Sequence, residues 1–325
     1  MTIKVRAESF DSIWSCWEQI LPGCITDTVF VTPWWHRTWW DNFRGSRELR
    51  ILSVNDGDDL LGIAPLMSDG DRLTFLGDKD LSDYFDFVVP HDRVNRFFPA
   101  LWEHLSAADW ATLDLPSLPN GSPTLELLPS LAKSMNMSVM IHEEETTPKA
   151  ELPDTWDEFL AGLRKKDRHE LRRKIRRLDR ENSHRQYVAN DGEDLNGSMQ
   201  DFFRLLRASR EDKNEFLTPE RETFFLDIAR ESVSRGQFIL SFLEVDGENV
   251  AACICFDYGG SYLLYNSGYD PSYSRLSVGL INKALSLQAA IQEGRRTFNF
   301  LKGNERYKYN LGGQDEPVYH LTISR

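Results

Sequence analysis

The stretch YNSGYDPSYSRLSVGLINKAL, residues 265–285, is the part of the sequence that decides the fold. It predicts a strand, then a loop of small and polar residues, then an amphipathic helix from about Gly279 to Glu293, with Gly294 as its C-cap residue. A helix that begins this way offers unpaired backbone N–H groups and the positive end of its dipole. Such a junction suits an anion such as a phosphate, and the alternative interpretation is an ordinary loop-to-helix turn.

The elements that precede this junction occur twice in the chain. Thr-Pro at 32–33 and again at 218–219 stands directly before a helical pattern, which is typical of an N-cap followed by the first helical residue. Asp-Gly at 56–57 and 246–247, 190 residues apart, divides a β-rich run into a hairpin in each half. A third β-rich run follows in both halves. We therefore predict an internal duplication of helix, hairpin and third strand.

Length and charge also indicate two parts with different chemistry. A chain of 325 residues is long enough for two domains. The net charge of −13 argues against a surface that binds nucleic acid throughout, yet residues 164–180 alone carry ten Lys or Arg and three Asp or Glu. We predict domains at 1–148 and 149–325, with a polar linker at 143–154 and a basic helical segment at 156–182.

Several classes of protein are disfavoured. The four cysteines have neither a disulfide framework nor the spacing of metal ligands, so we expect reduced thiols and no metal. No apolar run approaches the roughly 20 residues that span a bilayer, and the N-terminal residues have no long apolar stretch. We therefore expect a cytoplasmic protein with no transmembrane segment and no secretory signal.

Several segments together resemble the two-domain GNAT proteins of the FemAB/CelD-like group, also called BioF2-like acyltransferases. They are TPWWHRTWWDNF (32–43) with a hairpin ending GIAPL (62–66), LRKKDRHELRRKIRRL (163–178), GYDPSYSRLSVG (268–279) and GRRTFNFLKGNERYKYNLGG (294–313). The resemblance implies an α+β fold with mixed sheets, a tandem GNAT fold of two modules, the first of them degenerate. It also implies transfer of an acyl group to an amine, from acyl-CoA in most GNAT proteins and from aminoacyl-tRNA in some FemAB members.

The resemblance assigns the donor site to the junction. The GNAT phosphate signature Arg/Gln-x-x-Gly-x-Gly matches in part: Ser277 replaces the first Gly, Gly279 matches the second, and Arg275 is one position late. The Ser-x-Gly form is similar to the BioF2-like group. Acyl-CoA, with acetyl-CoA as the default, would then bind the junction and the strand before it. The predicted cofactor-binding residues are Tyr265, Asn266, Arg275, Ser277, Val278, Gly279 and Leu280.

Acid–base and acceptor groups are expected on two loops. Asp83 and Asp86 are candidate bases, because a spacing of three brings both carboxylates together on a turn; the alternative is a pair of solvated loop acids. Tyr309 is a candidate proton donor to the leaving thiolate. The predicted acceptor-binding residues are Tyr84, Arg306 and Lys308. The alternative for residues 302–309 is a charged surface loop with packed tyrosines.

The basic segment places leucine and isoleucine side chains on one helical stripe, at Leu160, Leu163, Leu171, Ile175 and Leu178. Its charged face is either simply solvated or a contact for phosphate-rich partners, which include lipid headgroups, nucleotide-linked sugars and tRNA. Peripheral membrane contact through this helix is one such interpretation.

The most consistent function is N-acyl transfer from acyl-CoA to an amine, with an amino sugar or another cell-envelope precursor as the acceptor that the family context suggests. A second interpretation is an aminoacyl-tRNA-dependent transferase, which the basic helix favours and the acidic remainder of the chain disfavours. A third, from a different class, is a GNAT scaffold without catalysis, which the incomplete phosphate signature favours.

Overall fold

The computed structural model describes residues 3–189 and 194–325, which form two compact units. The first unit contains the described residues up to Thr146 together with Glu316–Arg325, and the second contains those from Thr147 to Asp315. Within the described residues, no helix combines the length and the apolar character that crossing a bilayer requires.

The α-helices are α1 (Phe10–Ile20), α2 (Pro33–Phe43), α3 (Val94–Ala107), α4 (Thr124–Ser134), α5 (Trp156–Gly162), α6 (Lys165–Glu181), α7 (Leu195–Ser209), α8 (Glu211–Phe216), α9 (Pro219–Ser234), α10 (Val278–Gln292) and α11 (Arg306–Asn310). The strands are β1 (Ile3–Glu8), β2 (Glu48–Asp56), β3 (Asp59–Asp69), β4 (Arg72–Phe75), β5 (Thr112–Pro119), β6 (Ser138–Thr146), β7 (Lys149–Glu151), β8 (His184–Val188), β9 (Phe238–Val245), β10 (Glu248–Tyr258), β11 (Ser261–Tyr269), β12 (Thr297–Asn299) and β13 (Pro317–Ser324).

The first unit is built on a seven-stranded sheet in the order β1-β2-β3-β4-β5-β13-β6. Its strand pairs are antiparallel except β4 with β5, which run parallel. Helix α3 buries Phe97, Phe98 and Leu101 in the same core as the sheet residues Leu66 and Leu113. This apolar burial is the main source of stability for the unit.

The second unit is built on a six-stranded sheet in the order β7-β12-β11-β10-β9-β8. Only β11 and β12 are parallel, and the chain passes between them through α10. Helix α10 packs Ala284, Leu287 and Ile291 into a core that also contains Cys255 and Leu264 of the sheet. Both sheets mix parallel and antiparallel pairs, which confirms the predicted α+β class.

The duplicated elements are present in both units. The hydroxyl of Thr32 accepts from the backbone N–H of Trp35 at the start of α2, and that of Thr218 accepts from Arg221 at the start of α9, both at 3.3 Å. Each helix is followed by an antiparallel hairpin, β2–β3 or β9–β10, and then by a third strand, β4 or β11. The internal duplication predicted from the sequence is therefore seen in the order of the elements.

The predicted linker at 143–154 is wrong. These residues contain the end of β6, which pairs with β13, and the whole of β7, which pairs with β12. Both strands lie at the edges of their sheets. An edge strand has one solvent-facing side, so its sequence is as polar as that of a loop.

The last strand does not belong to the second unit, although the prediction assigned all of 149–325 to it. β13 lies between β5 and β6 of the first sheet and buries Val318, Leu321 and Ile323 there. The basic segment is also divided: α5 ends at Gly162 and α6 begins at Lys165. The predicted apolar stripe is present, with Leu171 and Leu178 fully buried.

Candidate active site

The strands β11 and β12 run side by side only at their beginnings. Ser261–Leu263 pairs with Thr297–Asn299, after which β12 ends and β11 continues to Tyr269. The edge of β11 from Leu264 onward therefore carries no strand on the β12 side among the described residues. An extended ligand could pair with this edge, in the way that a peptide adds to a sheet edge. The exception is Ser267, whose N–H donates to the side chain of Asn266 and whose carbonyl accepts from Lys213.

A β-bulge changes the direction of β11 within this open stretch. Asn266 pairs with Ile254 and Leu264 with Cys255, so Tyr265 has no counterpart on β10. A bulge bends a strand and often lies beside a functional site. The ring of Tyr265 packs between those of Phe225 and Phe256, with centroids 5.5 and 5.3 Å away. Only the backbone of Tyr265 thus suits the predicted cofactor contact.

The start of α10 has the features expected of an anion site. Ser277 precedes the helix in the left-handed conformation, at φ 61°, and its side chain does not cap the helix. Among residues 3–189 and 194–325, no group accepts a hydrogen bond from the backbone N–H of Val278 or Gly279. The first N–H groups of a helix have no partner within the helix, so these amides can donate to a ligand. They lie at the positive end of a 15-residue helix.

Basic side chains from α6 reach this same point. Lys174 Nζ donates to the hydroxyl of Ser277 at 2.9 Å, and Arg177 donates to the carbonyl of Arg275 at 2.9 Å. The guanidinium of Arg275 itself is exposed and forms an ion pair with Glu181 at 2.9 Å. The start of α10 therefore combines free amides with the amine of Lys174 and the guanidinium of Arg177.

Gly279 packs tightly against Tyr269. A Cβ at this position would lie 3.1 Å from the ring of Tyr269, so an added side chain would require that ring to shift. Leu280, the next predicted contact, is half-buried against the core of the unit. The predicted residues Asn266 and Ser277–Leu280 thus belong to one strand end and one helix start.

Two further lysines lie near the open edge of β11. Lys213 Nζ donates to the carbonyl of Ser267 at 2.5 Å and lies 3.4 Å from the side-chain oxygen of Asn266. Burial and the neighbouring charge of Lys283 lower the pKa of Lys213 to about 8. Lys283 is buried on α10, where it lies 4.7 Å from the ring centre of Tyr307 and burial lowers its pKa.

Lys308, predicted to hold an anionic acceptor, has its amine directed into the protein. Nζ donates to the carbonyls of Leu301, Lys302 and Gly303 at 3.0, 2.5 and 3.0 Å, and it forms an ion pair with Glu305 at 2.9 Å. The side chain is 2% exposed. Lys308 therefore stabilises the loop after β12, where Leu301 and Gly303 have positive φ.

Arg306 and Tyr309 lie on α11, which follows that loop. Arg306 is exposed, and the hydroxyl of Tyr309 donates to a carboxylate oxygen of Asp315 at 2.8 Å. The Arg306 guanidinium remains accessible to a ligand, whereas the proton of Tyr309 is engaged with Asp315.

The candidate bases belong to the first unit, and Asp86 is deeply buried there. Its carboxylate accepts from the hydroxyls of Thr26 and Thr124, both at 2.6 Å, and from the backbone N–H of Phe87 at 2.9 Å. Burial raises the pKa of Asp86 against the opposing effect of these hydrogen bonds. With 2% exposure, Asp86 joins three chain segments and has no open face toward solvent.

The neighbours of Asp86 differ from it in exposure. Asp83 is half-buried, whereas Tyr84 is buried with its ring 6.1 Å from that of Phe30. The segment 82–87 has a bend at Asp83 and is otherwise irregular, so the predicted hydrogen-bonded turn is not formed there.

Comparison with known families adds an independent observation. Residues 165–309 match the family described as an acetyltransferase (GNAT) domain. This match lies within the second unit, which is therefore similar to GNAT domains. The GNAT match spans the basic helix α6, the open edge of β11, the start of α10 and the loop that Lys308 stabilises. No curated protein matches the sequence.

Solved structures share the GNAT fold over nearly the whole chain. The crystal structure of FemX aligns with a TM-score of 0.67 at 10% identity and covers 98% of this chain and 96% of FemX. The C-terminal domain of a putative lysylphosphatidylglycerol synthetase from Agrobacterium fabrum aligns with a TM-score of 0.59 at 12% identity, covering 98% and 93%. A tandem GNAT protein from the clavulanic acid biosynthesis pathway aligns at 0.54 and 13% identity, covering 98% of each chain. These similarities confirm the predicted tandem GNAT fold.

Sequence reasoning missed three lysines of the candidate site. Lys174 was included only as part of a charged helical face, because nothing in its spacing distinguishes it from its basic neighbours. Lys283 had a signal: it stands in an otherwise apolar stretch of α10, four residues after Gly279. Lys213 had none, because a lysine in a short polar helix is most often solvated.

Proposed function

We propose that the chain is an N-acyltransferase that moves an acyl group from acyl-CoA, with acetyl-CoA as the default donor, to a primary amine. The observation that carries this proposal is the pair of unpaired amides of Val278 and Gly279 at the start of α10. The donor pyrophosphate would accept from these amides and from Lys174 and Arg177. The pantetheine arm would lie along the open edge of β11.

The reaction needs only a proton acceptor and a fixed donor. The neutral amine attacks the thioester carbon, the new N–C bond forms, the C–S bond breaks, and the thiolate leaves. We assign to Lys213 the role of base that accepts the proton of the attacking amine. Its lowered pKa leaves the Lys213 amine neutral in a fraction of the molecules near pH 7–8. Asp86 would then have a structural role, joining chain segments through its buried hydrogen bonds.

The acceptor class follows from the family context. An amino sugar or another cell-envelope precursor, acylated in the cytoplasm, remains our proposal for the amine, and the exposed guanidinium of Arg306 is the cation that would attract an anionic one. We propose no metal for the reaction, since direct attack by an amine on a thioester requires none.

One observation favours the second candidate, an aminoacyl-tRNA donor. Lys165, Lys166 and Arg172 are exposed on α6 and form no ion pair with another described residue. An exposed basic face binds the phosphates of a nucleic acid, and its affinity falls steeply with salt. The same face would give a peripheral contact with an anionic membrane.

The test is calorimetric titration of acetyl-CoA into the wild type and into Lys174→Met, with Lys166→Met as the matched control on the same helix. We expect Lys174→Met to weaken binding about tenfold or more, as for loss of a charge-assisted phosphate contact, and Lys166→Met to change it less than twofold. Gly279→Glu should abolish binding. Binding of charged tRNA without binding of any acyl-CoA would establish the second candidate. Binding of neither ligand would favour the third interpretation, a GNAT scaffold without catalysis.

A further inference from the structure

A cavity of about 280 Å³ lies in the first unit and is lined by residues of β3, β4, β5 and β13. The parallel strands β4 and β5 pair only over Arg72–Thr74 and Thr112–Asp114. The last pair, Thr74 and Asp114, lines the cavity together with Phe75 and Pro116. Asp69 and Arg72, which pair at the start of β4, also line it, so the cavity follows β4 along its whole length.

Ion pairs surround this cavity. Arg47 pairs with Asp69 at 3.2 Å, and Arg72 pairs with Asp114. The ring Nε2 of His320, on the neighbouring strand β13, lies 2.5 Å from the other oxygen of Asp114. Asp78 and Lys79 add one charge of each sign. Apart from His320, the lining carries three cations and three carboxylates.

Asp114 stands at the centre of this network. Burial raises the pKa of its carboxyl, but the hydrogen bond and charge of His320 and the charge of Arg72 lower it further, so the net shift is downward. The carboxylate is therefore ionised at neutral pH, although its side chain is only 13% exposed. The hydrogen bonds from Arg72 and His320 hold the carboxylate of Asp114 in one orientation beside the cavity.

The balance of charge decides which ligand fits. A ligand with a single charge is attracted by half of the lining and repelled by the other half, whereas a ligand with both charges is attracted by both halves. The volume is at the small end of ligand pockets, which run from about 300 to 1,000 Å³. We propose that this cavity binds a small zwitterion of the α-amino-acid class, with its carboxylate toward Arg72 or Arg47 and its ammonium toward Asp69 or Asp78.

This site is independent of acyl transfer in the second unit. Its test begins with the twenty proteinogenic amino acids, titrated calorimetrically into the full-length protein at neutral pH. The best binder is then compared with its decarboxylated amine and with its desamino acid, which keep the side chain and remove one charge each. We expect the zwitterion to bind about tenfold more tightly than either analogue, as for one lost charge-assisted hydrogen bond. Absence of binding by every amino acid, or equal binding by a single-charge analogue, would overturn the proposal.

A matched pair of variants locates the site. Arg72 and Arg96 are 49% and 46% exposed, and each forms an ion pair with an aspartate of the same unit that is 13% or 15% exposed. Arg72→Met should weaken amino-acid binding about tenfold, and Arg96→Met less than twofold, while both lower the melting temperature alike. Wild-type affinity in Arg72→Met would contradict the proposal. If Arg72→Met fails to fold, Asp69→Asn removes one charge from the lining at a side chain that is 44% exposed. It should weaken amino-acid binding by the same factor of about ten.

Discussion

His36, in the helix α2, is a fully buried histidine with one bonded and one unbonded ring nitrogen. Nδ1 lies 2.6 Å from the carbonyl of Leu76 and donates to it, whereas Nε2 has no partner among the described residues. Burial lowers the pKa of the ring to about 4, despite the hydrogen bond to Leu76. The neutral ring is thus required by the core of the first unit, where it packs against Trp17 and Phe85.

The consequence is a loss of stability in mild acid. Below pH 6.5 the unfolded chain binds a proton that folded His36 accepts only near pH 4, so the free energy of unfolding falls as pH falls between these values. From pH 7.5 to 5 this group should cost roughly 2 kcal/mol. Urea unfolding at both values should show the loss in the wild type and a smaller one in His36→Gln. Equal pH dependence in both proteins would show that His36 titrates normally.

Lys213 gives a prediction about turnover. If its neutral amine removes the proton, kcat/KM should rise with pH through about 8, and Lys213→Met should lower kcat by about 10²–10⁴ without changing the affinity for acetyl-CoA. Lys213→Arg keeps the positive charge but does not deprotonate. A variant Lys213→Arg with near-wild-type turnover would therefore assign the lysine to charge stabilisation instead.

At this scale the sequence indicated which segments carry polar groups but not which groups face one another. Asp86 and Lys308 were selected because they lie in loops near recognisable motifs. The partners of Asp86 are Thr26 and Thr124, which are distant from it in sequence. The partners of Lys308 are backbone carbonyls. Neither kind of partner leaves a periodic or compositional signal, so sequence patterns alone did not distinguish an anchor from a reactive group.

Among the elements, the contact between α7 and β11 depends on one glycine. A Cβ at Gly268 would lie 2.4 Å from backbone atoms of Leu205 and Leu206, which have no flexible end to move aside. Gly268→Ala should therefore cost about 3 kcal/mol in the free energy of unfolding, as for overpacking of a core. Gly162→Ala is the control, because no atom lies within 4 Å of its added Cβ, and it should change stability by less than about 0.5 kcal/mol. Chemical denaturation of both variants checks the prediction, and a neutral Gly268→Ala would contradict it.

Elements with a local signal were predicted, and those formed by distant pairing were not. Thr-Pro marked the starts of α2 and α9, Asp-Gly marked two hairpins, and Gly294 ends α10 at φ 71°. The end of β6 has the composition of a linker, and nothing local marks it as a strand because its partner β13 is more than 170 residues away in sequence. The start of α10 was predicted from small residues, whereas the reach of Lys174 to Ser277 depends on tertiary packing.

For the whole molecule, the last ten residues complete a sheet that begins at the other end of the chain. Removal of 316–325 takes β13 from between β5 and β6 and exposes the core around Leu321 and Ile323. Limited proteolysis of this truncated protein should cleave within the first 146 residues at rates well above the wild type, while 147–315 stays protected. Unchanged protection of the first unit would show that β13 is dispensable.

The position of β13 also has a consequence for synthesis. Residues 317–324 leave the ribosome after every residue of the second unit, so the first sheet has a gap between β5 and β6 until those residues have been translated. During that interval both neighbouring strands present open edges, which invite pairing with other chains. The half of the protein that is translated first is therefore the half that matures last, and nascent chains stalled before residue 317 should be clients of chaperones.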